Sequence, residues 1–146
     1  MSENLGPSRL LPPVVYASYA FSQDAIASNQ SAVAMKVIEV SNAVANDVIE
    51  FVAPWPGTII DVSLNLNTAG GGGVLSVAPT INATAVTDPV ASTTTGSNAR
   101  DSAVRGRSTF VAGDLIGIKL TASNEWTGST SDIVARVGVL YEISGV

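Results

Sequence analysis

Four aspartates (Asp88, Asp101, Asp114 and Asp132), two tryptophans (Trp55 and Trp126) and an arginine run (Arg100, Arg105 and Arg107 beside Asp101) are the residues from which chemistry would be built. Two carboxylates facing each other across a cleft, about 5–9.5 Å apart, would perform glycosidase-type acid–base work. None of the four aspartates belongs to the alternating-oxygen spacing of a calcium loop closed by Glu. Asp114 after Gly113 and Asp88 before Pro89 read as turn formers. Histidine and cysteine are absent. That removes the commonest general base, the usual zinc ligand, thiolate metal sites, a cysteine nucleophile and any disulfide framework. The four glycines at 70–73 are no phosphate cradle, because a P-loop needs Gly-Lys-Ser or Gly-Lys-Thr opening a helix, whereas Val74 opens a strand. The expectation is a non-enzymatic protein without cofactor or metal.

The remaining candidates are contact residues. Arginine forms bidentate pairs with carboxylates, so Arg100, Arg105 and Arg107 are candidate intersubunit contacts. On an edge strand the same charges also block edge-to-edge pairing. Trp55 sits between two prolines and Trp126 in a polar loop. Exposed, either would stack on a sugar; buried, either would anchor a core or an interface.

The chain has 146 residues, with 7 basic against 12 acidic side chains, a net charge of −5 and 46% hydrophobic residues. An acidic chain is repelled by phosphate backbones, and residues 1–30 carry Arg9 as their one basic residue. Nucleic acid is therefore not an expected partner. The uncharged stretch 10–21 is too short to span a bilayer, and Pro12-Pro13 interrupts any signal-peptide helix. Neither a membrane anchor nor a signal peptide is expected.

Residues 1–35 lack clean periodicity and read as an extended N-terminal arm. Gly6-Pro7 and Pro12-Pro13 hold the backbone extended, residues 14–21 alternate loosely and admit a strand, and the Ala- and Ser-rich stretch 23–35 admits a short helix. The arm must shelter its apolar side chains on its own domain or on a partner. From residue 36 the reading is β throughout. Strands are expected at 36–40 and 48–53, with a turn at 42–46 and a stop at Pro54-Trp55-Pro56-Gly57. In the next strand Ile60, Val62, Leu64 and Leu66 share the inner face. A pair of weaker strands surrounds Pro79, and residues 88–99 read as a loop. Short edge strands fall within 102–110, Gly113-Asp114 turns, and strands follow at 116–120 and 133–143. Ile133, Ala135, Val137, Val139, Tyr141 and Ile143 share one face of the last strand, while Val134 and Leu140 imply cover on the other. Seven or eight strands without intervening helices predict an all-β antiparallel sandwich, jelly-roll-like, over residues 36–146. From Val62 through Ala99 the only charge is Asp88, a composition of small uncharged groups suited to close subunit contacts.

Three segments carry a resemblance. Residues 53–62 (Ala-Pro-Trp-Pro-Gly-Thr-Ile-Ile-Asp-Val) before a glycine-rich loop, the aromatic-x-x-Gly-Asp turn feeding residues 110–120, and the closing strand 133–141 resemble small β domains of phage virions. These are the capsid decoration, or cement, proteins and fibre heads, similar in shape to trimeric tumour-necrosis-factor-like and complement-like jelly rolls. The resemblance implies a structural protein, made in the host cytoplasm, that sits as a homotrimer on the outer capsid surface. Its partner would be the major capsid protein. Residues 1–35 lie outside the resemblance; from their apolar character, Leu10, Leu11, Val14, Val15, Tyr16, Tyr19 and Phe21 of the arm would clamp neighbouring capsid subunits. A receptor- or glycan-binding head of a fibre or spike is the alternative; a carbohydrate-active enzyme ranks third.

Overall fold

Alternation becomes structure most plainly at the end of the chain. The inward row Ile133, Ala135, Val137, Val139 and Tyr141 is buried, within a ten-residue strand at the centre of one of two sheets. The computed structural model describes residues 13–37, 48–128 and 131–143. Its strands are β1 (Val14–Gln23), β2 (Gln30–Ala34), β3 (Glu50–Val52), β4 (Gly57–Leu66), β5 (Leu75–Ile81), β6 (Thr84–Ala85), β7 (Ala91–Thr93), β8 (Asn98–Ser102), β9 (Ser108–Phe110), β10 (Leu115–Ala122) and β11 (Ile133–Glu142).

Two antiparallel sheets pack face to face as a sandwich. Sheet A runs β1-β11-β4-β8, with β9 also on β4. Sheet B runs β2-β10-β5-β6, with β3 also on β10 and β7 also on β5. The pairs nest: β1 with β11, β2 and β3 with β10, β4 with β8 and β9, β5 with β6 and β7. The core between the sheets holds Phe21, Ile59, Val62, Leu64, Leu75, Val77, Ile116, Ile118, Leu120 and the inward row of β11. Nesting also sorts the connections. The 53–56 corner, the 82–83 turn, the 111–114 turn and the ends of the described chain at Pro13 and Ile143 share one end, here the terminal end. The connections at 24–29, 67–74 and 94–97 and the described residues 123–128 and 131–132 share the far end.

The described part of the expected arm belongs to this body. β1 pairs with β11 in unbroken register from Val14 opposite Glu142 to Gln23 opposite Ile133. Phe21 is 1% exposed and packs edge-on against Phe51, with ring centroids 5.5 Å apart. Tyr19 is half-buried, stacked on Phe51 and hydrogen-bonded through its hydroxyl to Tyr141. The boundary expected at residue 35 is therefore corrected: residues 14–34 supply an edge strand to each sheet. Leu10 and Leu11 lie outside the described residues, as do most of the strand expected at 36–40 and the turn at 42–46. The short helix admitted at 23–35 is replaced by a turn and β2. Ala25, Asn29 and Ala32 adopt positive φ, which a right-handed helix cannot contain.

Two further corrections concern strand interiors. In β4, Asp61 lies opposite Gly138 but Ile59 lies opposite Val139, so Ile60 is the extra residue of a β-bulge. The bulge changes the phase: Ile59 is buried and Ile60 is half-exposed. Pro79 does not divide two strands; β5 runs through it, and Pro79 sits where the neighbour changes from β7, opposite residues 75–77, to β6, opposite residues 80–81. The loop expected at 88–99 contains β7 and the start of β8. Cover over the second face of β11 is partial, with Val134 46% exposed and Leu140 half-buried.

The β5–β6 hairpin turns on Asn82 and Ala83, both at positive φ (50° and 65°), as a two-residue turn of the primed kind requires. Asn tolerates this conformation; Ala carries a Cβ penalty that Gly would not. Ala83→Gly is expected to raise stability by up to about 1 kcal/mol, read as an upward shift in the urea midpoint at unchanged m.

Candidate functional site

The terminal end gathers exposed apolar side chains on turns that the backbone fixes. Val52 lies directly opposite Leu115 across the β3–β10 pair, and both side chains are exposed. Val15 lies opposite Tyr141. Trp55 packs edge-on against the same Tyr141 ring at 6.0 Å yet stays 42% exposed. Val111, at the tip of the next turn, is 63% exposed.

These positions are held by hydrogen bonds that the turn residues supply. Ala53 N–H donates to Asp114 O and Gly113 N–H to Ala53 O, both at 2.8 Å. Gly113 has a φ of +92°, the left-handed conformation glycine adopts without strain. The Asp114 carboxylate accepts from Val111 N–H and from the Asn82 amide, both at 2.9 Å. Asn82 Oδ1 in turn accepts from Leu115 N–H at 2.9 Å. The 111–114 turn, the 82–83 hairpin and the 53–56 corner are therefore one rigid block.

Beside this block lies an open groove of about 600 Å³, lined by Pro56, Gly57, Thr58, Thr109, Phe110 and Val111, with Arg105, Gly106, Asp114 and Glu142 at its polar positions. Its two carboxylates are already used. Glu142 Oε1 accepts from Arg105 Nη2 at 2.6 Å and from Nε at 3.2 Å. The Val111 N–H first, and the Asn82 amide second, hold the Asp114 carboxyl below its ordinary value. A general acid needs a shift in the opposite direction. Because the folded-state value is the lower one, the contribution of Asp114 to stability is present above the ordinary carboxylate range and is lost as pH falls through the depressed value. Asp114→Asn is expected to lower the melting temperature at pH 7 and to narrow the gap from wild type as pH drops below that range, followed by thermal melts across pH.

The other aspartates stand apart. Asp132, at the far end, accepts from Ala25 N–H at 3.2 Å and Asn67 Nδ2 at 3.3 Å. Asp101 accepts from Val90 N–H at 2.9 Å, and Asp88 pairs with Arg107 at 2.8 Å. Among the described residues no three acidic side chains meet as a metal site would require. Of the candidate intersubunit arginines, Arg105 and Arg107 are thus paired within their own chain, to Glu142 and Asp88. Arg100 is exposed on β8.

Of the two alternatives for Trp126, sugar platform or buried anchor, the structure takes the second: it is 3% exposed. The glycine loop closes over it, and a Cβ added at Gly70 would lie 2.4 Å from its Cη2 atom. Of the arm residues, Val14, Val15 and Tyr16 are exposed, whereas Phe21 has no surface to offer a partner. Val52, Val111 and Leu115 escaped the sequence reading. Their signal was two consecutive apolar residues at a strand end (Phe51-Val52, Phe110-Val111), of which only one can face inward. Compared with known proteins, the chain matches no family model and no curated protein.

Proposed function

We propose that this chain is a non-enzymatic structural protein of a virion, a jelly-roll decoration protein that adheres to the outside of a phage head. Eight strands nested as first with last, second with seventh, third with sixth and fourth with fifth describe a rolled hairpin, once β2/β3, β6/β7 and β8/β9 are each counted as one interrupted strand. That supports the jelly-roll reading. The observation that carries the adhesive role is the exposed set Val15, Val52, Trp55, Val111 and Leu115 on one rigid end, since grouped apolar exposure marks contacts. At about 25 cal/mol per Å², a few hundred Å² of such surface supplies several kcal/mol before ordering costs. Repetition over a symmetric shell adds avidity.

The test is co-sedimentation with undecorated phage heads. Wild-type protein is expected to bind stoichiometrically, and the double variant Val52→Glu/Val111→Glu, still folded by circular dichroism, is expected not to. A truncation of residues 1–12, which leaves β1 whole, reports whether Leu10 and Leu11 add to the clamp. Equal binding by wild type and the double variant would overturn the contact face. The exposed indole of Trp55 beside the groove favours one second reading, a glycan-binding head. It predicts retention on host cells that Trp55→Ala abolishes, without binding to heads.

A further inference from the structure

The middle two rows of the outer face of sheet A are built of small side chains with one acid and two bases among them. Register sets its rows: Ser18, Gly138, Asp61 and Ser102 in one, Ala20, Arg136, Ser63 and Arg100 in the next. Arg136 and Arg100 flank Ser63 on opposite sides, about 10 Å apart at two strand spacings. Both are exposed, and neither makes an ion pair among the described residues, unlike Arg105 and Arg107. Asp61 is half-buried and accepts from the Tyr16 hydroxyl at 3.3 Å. Gly138 keeps the space for that pair open: a Cβ there would stand 2.3 Å from Asp61 Oδ1 and 2.6 Å from Tyr16 Oη.

We infer that this face is the contact between two copies of the chain, related by a two-fold axis, with Arg136 of each copy set against Asp61 of the other. Copies that each carry a net charge of −5 repel, so they meet where the local charge is not acidic. Asp61 against Arg100 and Arg136 leaves these two rows with a positive excess. A face that holds acid and base in adjacent rows is complementary to itself, as an isologous contact demands. The small floor of Ser18, Ala20, Ser63 and Gly138 lets the sheets approach closely. With the flanking rows that hold Tyr16 and Leu140 on one side and Ser22, Val134, Asn65 and Asn98 on the other, four strands and four rows span about 500 Å² per copy, below the roughly 800 Å² per partner of a standard stable interface. The pair is therefore weak and concentration-dependent. It differs from the three-fold assembly the virion resemblance implies and stands independently of the adhesive terminal end.

Sedimentation velocity over a concentration series at low and high salt tests it. A reversible dimer that weakens with salt is expected for wild type. Arg136→Glu is expected to raise the dissociation constant at least about tenfold, as like charges meet across the contact. Asp61→Arg should do the same, and the charge-swapped double variant should recover pairing. Should Asp61→Arg misfold, Ala20→Arg, which sets bulk and a further positive charge beside Arg136 on the same exposed row, gives an independent disruption, with Ser92→Glu, exposed on sheet B, as the control. A wild type that stays monomeric, a trimer, or a dimer that Arg136→Glu leaves intact would each overturn the inference. A dimer dissociated by Val52→Glu/Val111→Glu but not by Arg136→Glu would move the contact to the terminal end.

Discussion

Phe21→Ala is expected to destabilise the isolated chain by about 3–5 kcal/mol, the range for removing a fully buried aromatic ring. The ring lies between the sheets, edge-on to Phe51, and β1 holds it there by ten residues of pairing with β11. Tyr16→Ala, five residues earlier on the outward row of the same strand, serves as the contrast and is expected to cost no more than about 1 kcal/mol. Urea unfolding of both variants, compared at constant m, separates the two roles. A side chain reserved for a partner would leave the stability of the free protein unchanged when truncated. Removal of residues 1–23 should go further, since it strips β11 of its outer neighbour and opens the core; such a chain is expected not to fold. A truncation that deep therefore cannot test attachment, whereas one ending at residue 12 can.

How far this fold is legible in the sequence depends on which interaction fixes each part. The β11 row and the inward Val62, Leu64 and Leu66 of β4 are visible because period-two burial is local and written in side-chain type. The bulge at Ile60 is not, because it arises from the register between β4 and β11, a relation between residues about 80 positions apart. Strand β1 is legible as a strand but not as part of the body. Beyond Tyr16 its outward row is Ser18, Ala20 and Ser22 rather than charged residues, so its alternation reads faintly, and the prolines before it point to an extended arm. The 82–83 hairpin escaped because Ala83 replaces the glycine that usually announces such a turn. Asp88, Asp114 and Asp132 stand on turns and loops, as their neighbours in sequence suggest, whereas Asp101 lies within β8; the partners of all four (Asn82, Asn67, Val90 N–H and Arg107) sit on other turns and loops, which the local sequence does not reveal. The same holds for the Tyr16, Asp61, Arg100 and Arg136 group, which exists only once four strands lie side by side.

Trp126→Ala is expected to cost about 3–5 kcal/mol, the other large effect in the molecule. The indole closes the core at the far end. Gly70 and Gly128 pack within van der Waals reach of its ring, and Gly73, at a φ of +78°, brings the chain against the Trp126 backbone. Gly71 N–H donates to Thr127 Oγ1 at 3.1 Å, and Thr127 N–H to Gly72 O at 3.3 Å, so the glycine run is tied down beside the ring it covers. The four consecutive glycines are thus a fitted lid, since any side chain at residue 70 would occupy the space of the indole. Trp55→Ala is expected to change stability by no more than about 1 kcal/mol, because Trp55 is 42% exposed and meets the Tyr141 ring only edge-on. The single-tryptophan proteins left by each change read the environments directly. Emission from Trp126 should be blue-shifted and resistant to quenching by iodide, and emission from Trp55 red-shifted and quenched. Equal quenching of the two would mean that the glycine loop does not seal the far end, and the large cost assigned to Trp126 would fall with it.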